Sequence, residues 1–224
     1  MVLATETVAT LRCACWPAAL LRPLPPEPPT VDQSPVVLVH GFMGHPAMFR
    51  SLIRRMYQAG IGDVHTVQYP STRFTLDQIA RRIHAVVEPL AARGVPVDLV
   101  GHSLGAVASR AYLKAFGGGP HVRRFVSLGG PHAGTALYQL TPPVLHDVLD
   151  PCGPWVRRLS KGPEPVHTVV VRSRYDHHVV PPMRASLPDV EEVVLNGYGH
   201  NGLLWSRAAA DAVIEALTAP LALA

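Results

Sequence analysis

Val97-Asp98-Leu99-Val100-Gly101-His102-Ser103-Leu104-Gly105-Ala106 is the stretch on which the reading of this chain turns. Val97 to Val100 has the length and branching of a buried strand. From Ala106 onward, Val107, Arg110, Ala111, Leu113 and Lys114 follow a helical pattern. Between them lies Gly-His-Ser-Leu-Gly, a G-x-S-x-G on a strand-to-helix turn. So tight a turn is expected to strain the backbone of Ser103 and to lift its Oγ above the sheet edge. A side chain at 101 or 105 would collide with the neighbouring strand or helix. The following helix offers backbone N–H groups and a positive dipole end where negative charge would develop. Gly and Ser are common in loops, so the pentapeptide alone is weak. Its two flanks favour a functional turn over a structural one.

Outward from this turn, the pattern repeats. Val36-Val37-Leu38-Val39 reads as a fully buried strand, and further strands are expected at residues 64–69, 122–128, 166–171 and 190–195. Met48, Phe49, Leu52, Ile53, Met56 and Tyr57 recur at helical spacing up to Gly60. Thr75 and Gln78 form a capping box that opens a helix with Ile79, Ile83, Val86, Val87 and Leu90 on its apolar face, closing near Gly94. The helix after Ser103 is expected to run to Phe116, and a last helix covers residues 205–217. Strands alternating with helices predict an α/β fold with a mostly parallel sheet and helices on both faces. In such sheets ligands bind at the carboxyl ends of the strands.

A length of 224 residues fits one catalytic-sized domain with a sizeable core. Residues 1–34 differ from the rest: prolines 17, 23, 25, 26, 28 and 29 fall there, and residues 23–29 predict a polyproline-like linker. Residues 8–21 are mildly apolar, but Glu6 precedes them and Arg12 interrupts them. They read as a short docked helix or an arm, and not as a secretory signal or a span. That favours a cytoplasmic over a secreted protein. The domain proper occupies residues 35–224, with an irregular insert at about 135–165. The net charge of +4 is spread over pairs such as Arg54–Arg55 and Arg123–Arg124, which excludes a nucleic-acid-binding run. Cys13, Cys15 and Cys152 have no zinc-type spacing and read most simply as free thiols.

A serine hydroxyl needs a base to become a nucleophile. After a G-x-S-x-G elbow the chain order is nucleophile, acid, histidine. His200, in Gly197-Tyr198-Gly199-His200-Asn201-Gly202 after the last strand, is the expected base. Asp176, on the loop after the strand at 166–171, is the expected acid, ahead of Asp147 and Asp150 in the insert. His177 and His178 read as loop surface. Two backbone donors would stabilise an oxyanion, the N–H of Leu104 and that of Phe42 in His40-Gly41-Phe42, with both side chains free to line an acyl pocket.

These motifs together resemble the small bacterial lipases and esterases of the α/β-hydrolase superfamily. The likeness runs from about Pro35 to the last helix. It rests on Val39-His40-Gly41-Phe42, the stretch at 97–105, Ser-Leu-Gly-Gly-Pro-His-Ala-Gly-Thr at 127–135, Asp176 with Val179, Val180 and Pro181, and Gly-His-Asn-Gly-Leu-Leu at 199–204. The resemblance implies hydrolysis of carboxylic esters through an acyl-enzyme, with Ser103, Asp176 and His200 as triad and Phe42 and Leu104 as oxyanion donors. Met43, Leu137, Tyr138, Val179 and Leu203 are the expected substrate-contacting side chains. No cofactor or metal is called for. The expected partner is a small-molecule or lipid ester, with transient contact at a lipid interface left open. The proline-rich arm and the long insert depart from the smallest lipases. The insert carries Leu137, Tyr138, Leu140, Val144, Leu145, Val148 and Trp155, which suggests a short cap over the acyl site. A thioesterase, amidase or acyltransferase would use the same triad, and a non-catalytic binding protein could share the fold.

Overall fold

A computed structural model describes residues 2–15, 17, 23–29 and 33–221. Six strands, β1 (Val36–Val39), β2 (Val64–Val67), β3 (Val97–His102), β4 (Val122–Leu128), β5 (His167–Ser173) and β6 (Glu191–Leu195), form one sheet in the order β2-β1-β3-β4-β5-β6. Every neighbouring pair is parallel. The described α-helices are α1 (Val2–Ala14), α2 (Arg50–Gln58), α3 (Leu76–Ala91), α4 (Leu104–Ala115), α5 (His146–Leu149), α6 (Pro154–Leu159), α7 (Gly202–Trp205) and α8 (Arg207–Thr218).

Strand β1 is wholly apolar and the middles of β3, β4 and β5 nearly so, because both faces are covered, whereas the edge strands β2 and β6 carry His65, Glu191 and Glu192. Strand alternation splits the core into two layers. Val37, Val39 and Leu99 face α3, α4 and the insert, while Val36, Leu38 and Val100 face α2 and α8. Val36 to Val39 are each at most 1% exposed, so neither face of β1 tolerates a polar side chain. Two charged groups of the strands find partners: Arg123 donates to both carboxylate oxygens of buried Asp98 at 3.0 and 2.6 Å, and the Arg124 guanidinium donates to Ala216 O and Ala219 O at the end of α8.

From β1 the chain goes to β2 on one side, then returns to place β3 on the other. The loops after β1 and β3 therefore part, and the crevice between them is where a ligand would sit in a sheet of this kind. The Thr75–Gln78 capping box forms as expected, with Thr75 Oγ1 accepting from Gln78 N at 3.3 Å and Gln78 Oε1 accepting from Thr75 N at 2.9 Å.

Several expectations are corrected. The second strand ends at Val67, and the last helix divides into α7 and α8 at Ser206, whose Oγ accepts from Ala209 N at 3.1 Å and starts a new helix. Within the insert, Leu145 and Val148 are 0% and 1% exposed and belong to the core beside α4, and Trp155 stacks near Phe116. Leu145 and Val148 thus serve as core side chains for the fold. Leu137, Tyr138 and Val144 are half-buried and Leu140 is exposed. The N-terminal segment forms α1 at residues 2–14 and lies against α7. The part of the expected 8–21 segment at residues 16 and 18–21 falls outside the described residues.

Candidate active site

Ser103 stands between β3 and α4 with φ 55° and ψ −124°, a left-handed conformation that a side-chain-bearing residue rarely adopts. Its N–H donates to Leu128 O at 2.9 Å, which ties the turn to the end of β4. The flanking glycines are demanded by contact. A Cβ on Gly101 would lie 2.5 Å from Ala106 Cα, and one on Gly105 would lie 2.3 Å from Val39 O and 2.4 Å from His40 O. Only bare backbone lets α4 come this close to β1.

Three side chains from separate loops form one hydrogen-bonded line. His200 Nε2 is 2.8 Å from Ser103 Oγ, and His200 Nδ1 is 2.7 Å from Asp176 Oδ2. The other carboxylate oxygen of Asp176 accepts from the N–H groups of His178 and Val179 at 2.9 and 2.8 Å, which leaves Oδ2 for the imidazole. His200 and Asp176 are 2% and 4% exposed, so water does not compete for these bonds.

Burial pushes the Asp176 carboxyl up, but the nearby His200 charge and hydrogen bond, with the two backbone donors, bring it below the usual carboxylate range. Burial alone would lower the pKa of His200. The Asp176 carboxylate, by charge and by hydrogen bond, together with the charge of Glu6, outweighs that and raises it above 6.5. The rings of His102 and His178 lie 5.0 and 4.7 Å from that of His200. Burial and the His200 charge hold His102 well below the histidine range, and burial with the charges of His200 and His177 holds the partly exposed His178 at about 4. Neither neighbour competes with His200 for a proton near neutrality.

On the β1 side, a Cβ on Gly41 would lie 2.8 Å from Ser103 Cβ, so the 40–42 loop passes directly over the serine. Leu104 is the first residue of α4 and its N–H has no acceptor inside the helix. The loop is fixed by residues that sequence reasoning missed. His40 O accepts from Tyr69 OH, their rings stack 4.2 Å apart, and Ser71 Oγ accepts from Met43 N at 2.8 Å. Thr135, the last residue of the 127–135 motif, has a role the motif alone does not assign: its Oγ1 donates to His178 O at 2.7 Å and accepts from Val180 N at 3.1 Å, which ties the Asp176 loop to the loop after β4. A Tyr at 69 or a Ser at 71 carries no motif of its own.

The expected substrate-contacting side chains separate. Met43 is exposed, Phe42, Leu137 and Tyr138 are half-buried, and Leu104 is sealed in the core with Leu145 and Val148 nearby. Leu203 belongs to the opposite layer, is 2% exposed and lies against the end of β4 at Gly129, beneath the His200 loop. Val179 is 1% exposed and holds the Asp176 turn from within. A cavity of about 490 Å³ lined by Glu164, His167, Asp189 and Glu191 opens at the amino ends of β5 and β6, the edge of the sheet away from Ser103.

Residues 35–182 match the sequence pattern of the palmitoyl protein thioesterase family. The chain belongs to that family. Among solved structures it is similar to lipase B of Aspergillus fumigatus, with 19% identity and a TM-score of 0.74 over 87% of this chain and 55% of that one. The mature lipase BlEst2 of Bacillus licheniformis is 17% identical, with a TM-score of 0.67 over 88% of this chain and 96% of that one. A monoacylglycerol lipase of Paleococcus ferrophilus is 19% identical, with a TM-score of 0.62 over 83% and 95%. The chain thus spans about half the length of the Aspergillus protein and nearly all of the other two. These likenesses establish the α/β-hydrolase fold for this member of the thioesterase family.

Proposed function

We propose that this chain is a serine hydrolase that cleaves acyl esters through an acyl-enzyme. The observation that carries the reading is the unbroken line Asp176–His200–Ser103, with heavy-atom distances of 2.7 and 2.8 Å. Ser103 Oγ attacks the acyl carbonyl carbon as His200 Nε2 takes its proton, and Asp176 stabilises the imidazolium. The N–H groups of Leu104 and Phe42 receive the oxyanion. Collapse of the tetrahedral adduct breaks the bond to the leaving group, which departs with the proton from His200. Water then enters by the same path, with His200 as base, and releases the acid.

Membership of the palmitoyl protein thioesterase family favours a thioester as a second substrate class, since the acyl-enzyme is the same whichever leaving group departs. Labelling by a fluorophosphonate, abolished in Ser103→Ala, tests the serine. Rates over p-nitrophenyl esters from acetate to palmitate, an emulsified triglyceride and an S-palmitoyl thioester then sort the substrate class. Loss of rate beyond butyrate makes it an esterase of short acyl chains. Absence of labelling in the folded wild-type chain overturns the proposal.

A further inference from the structure

We infer that Glu6, on the N-terminal helix α1, is a positioning residue for His200: its buried carboxylate holds the two backbone amides that follow that histidine and lies against the glycine before it. This rests on the reading of His200 as the base. Glu6 Oε1 accepts from Asn201 N at 2.7 Å and Glu6 Oε2 accepts from Gly202 N at 2.9 Å. On the other side of the histidine, a Cβ on Gly199 would lie 2.5 Å from Glu6 Oε2. One carboxylate therefore brackets residues 199–202 from a distance of nearly two hundred residues in sequence. One weaker bond from the same helix flanks it, from Asn201 Nδ2 to Thr10 Oγ1 at 3.1 Å, while Thr5 Oγ1, which donates to Val2 O at 2.8 Å, lies 3.3 Å from Gly197 O.

The arrangement runs against the ordinary use of an amphipathic helix. Leu3, Val8 and Leu11 of α1 are 85%, 50% and 60% exposed, whereas the glutamate is 5% exposed. Taking a carboxylate out of water costs free energy unless hydrogen bonds replace its hydration. Here they are supplied by two amides of the loop that carries the histidine. His200 needs such support because its ring must stay within hydrogen-bond reach of Ser103 and Asp176 at once.

The charged and titratable groups facing His200 are Asp176 from the loop after β5, His177 and His178 from the same loop, His102 from the end of β3, and Glu6 from α1. His177 Nε2 lies 3.6 Å from Glu6 Oε1. The negative charge of Glu6 adds to that of Asp176 in favouring the protonated ring. Removing it lowers the pKa of His200, so the acid limb of activity moves to lower pH.

The test uses the full chain carrying Glu6→Gln, a substitution that keeps the shape and removes the charge and one acceptor. With p-nitrophenyl butyrate, kcat falls about 10- to 100-fold with KM little changed, as expected for a misplaced base. The acid limb moves down by a few tenths of a pH unit. Titration of His200 by NMR in a Ser103→Ala background gives the same downward shift without requiring turnover, so the role of Glu6 is judged even if the hydrolase reading fails. An unchanged His200 titration and an unchanged kcat in a folded Glu6→Gln protein overturn the inference. Should Glu6→Gln not fold, Thr10→Val reads the same clamp. Hydrogen exchange at residues 199–202 speeds up if α1 holds the loop, and exchange at the wild-type rate overturns it.

Discussion

Asp176→Asn separates the orienting role of the carboxylate from its place in the fold. The substitution is isosteric, and the structure fixes which way the new amide points. Oδ1 of Asp176 accepts from two backbone N–H groups, those of His178 and Val179, so the asparagine must keep its carbonyl oxygen there. Its NH2 group then occupies the position of Oδ2, 2.7 Å from His200 Nδ1, and donates to that nitrogen. The ring proton is driven to Nε2, the atom 2.8 Å from Ser103 Oγ, and the imidazole can no longer accept the serine proton. Loss of the correct tautomer lowers kcat about 10⁴-fold, equivalent to about 5.4 kcal/mol of barrier, with KM little affected. Because both backbone bonds survive, the midpoint of thermal unfolding stays near that of the wild type. Asp176→Ala strips the acceptor from both amides as well, and an unpaired buried group costs about 1–3 kcal/mol. Steady-state hydrolysis of p-nitrophenyl butyrate, read beside thermal unfolding of both variants, makes the comparison. An Asp176→Asn protein within about tenfold of the wild-type kcat would show that His200 does not depend on Asp176 for its tautomer.

The strain at Ser103 gives a second expectation. Glycine usually costs about 0.5–1 kcal/mol relative to alanine inside regular structure, but at φ 55° and ψ −124° the order reverses, so Ser103→Gly is at least as stable as Ser103→Ala in chemical unfolding while both are inactive. Gly105→Ala drives a methyl group to 2.3 Å from a main-chain oxygen of β1, and with only backbone to yield it costs about 3 kcal/mol and lowers Tm by about 6–12 °C in calorimetry. The base must be neutral to act, and its pKa is raised, so kcat/KM falls with decreasing pH through a midpoint above 6.5; a midpoint at or below 6.5 counts against Asp176 as its partner. The linked stability has the matching sign. The raised His200 contributes stability that is present below about 6.5 and lost as pH rises through its folded value, while the depressed Asp176 contributes above about 3.9 and is lost as pH falls through its own, as pH-dependent urea unfolding reports.

The sheet was readable from sequence because its central strands are short runs with apolar, branched middles, separated by helical periodicity. The glycines at 101 and 105 were readable because a G-x-S-x-G between strand and helix has one steric solution. Chain order singled out Asp176 and His200 from sixteen acids and twelve histidines, and the structure places both on the line to Ser103. What stayed hidden has one physical character. Glu6, Tyr69, Ser71 and Thr135 act through one or two hydrogen bonds each to distant backbone, and such bonds leave no periodicity and no spacing. The pKa of His200 is raised above that of an isolated imidazole because two carboxylates face it, one of them from the N-terminal segment whose sequence reads as a short docked helix or an arm and names no contact. The insert misled for a related reason: apolar residues in an irregular stretch look like a cap until α4 is seen to need them as core.

The sheet order makes the position of His200 the demanding part of the design. Ser103 follows β3 and His200 follows β6, three strand spacings or roughly 14 Å away, so the 196–202 loop must travel back across the ends of β5 and β4. Each step of that return is anchored. Ser173 Oγ, at the end of β5, donates to Tyr198 O at 2.5 Å. At the end of β4, Gly129 has φ 63°, and a Cβ there would lie 2.9 Å from Leu203 Cδ1 and 3.5 Å from two atoms of the His200 ring. A larger residue at that point would lift the loop off the sheet just where the imidazole crosses it. Beyond the crossing, the loop turns into α7, and it is there that Glu6 takes hold of the 201 and 202 amides. The serine and the acid are set by the strands they follow, but the base is set by side chains from three separate elements. The histidine loop is therefore the part of the site most open to modulation from outside the sheet.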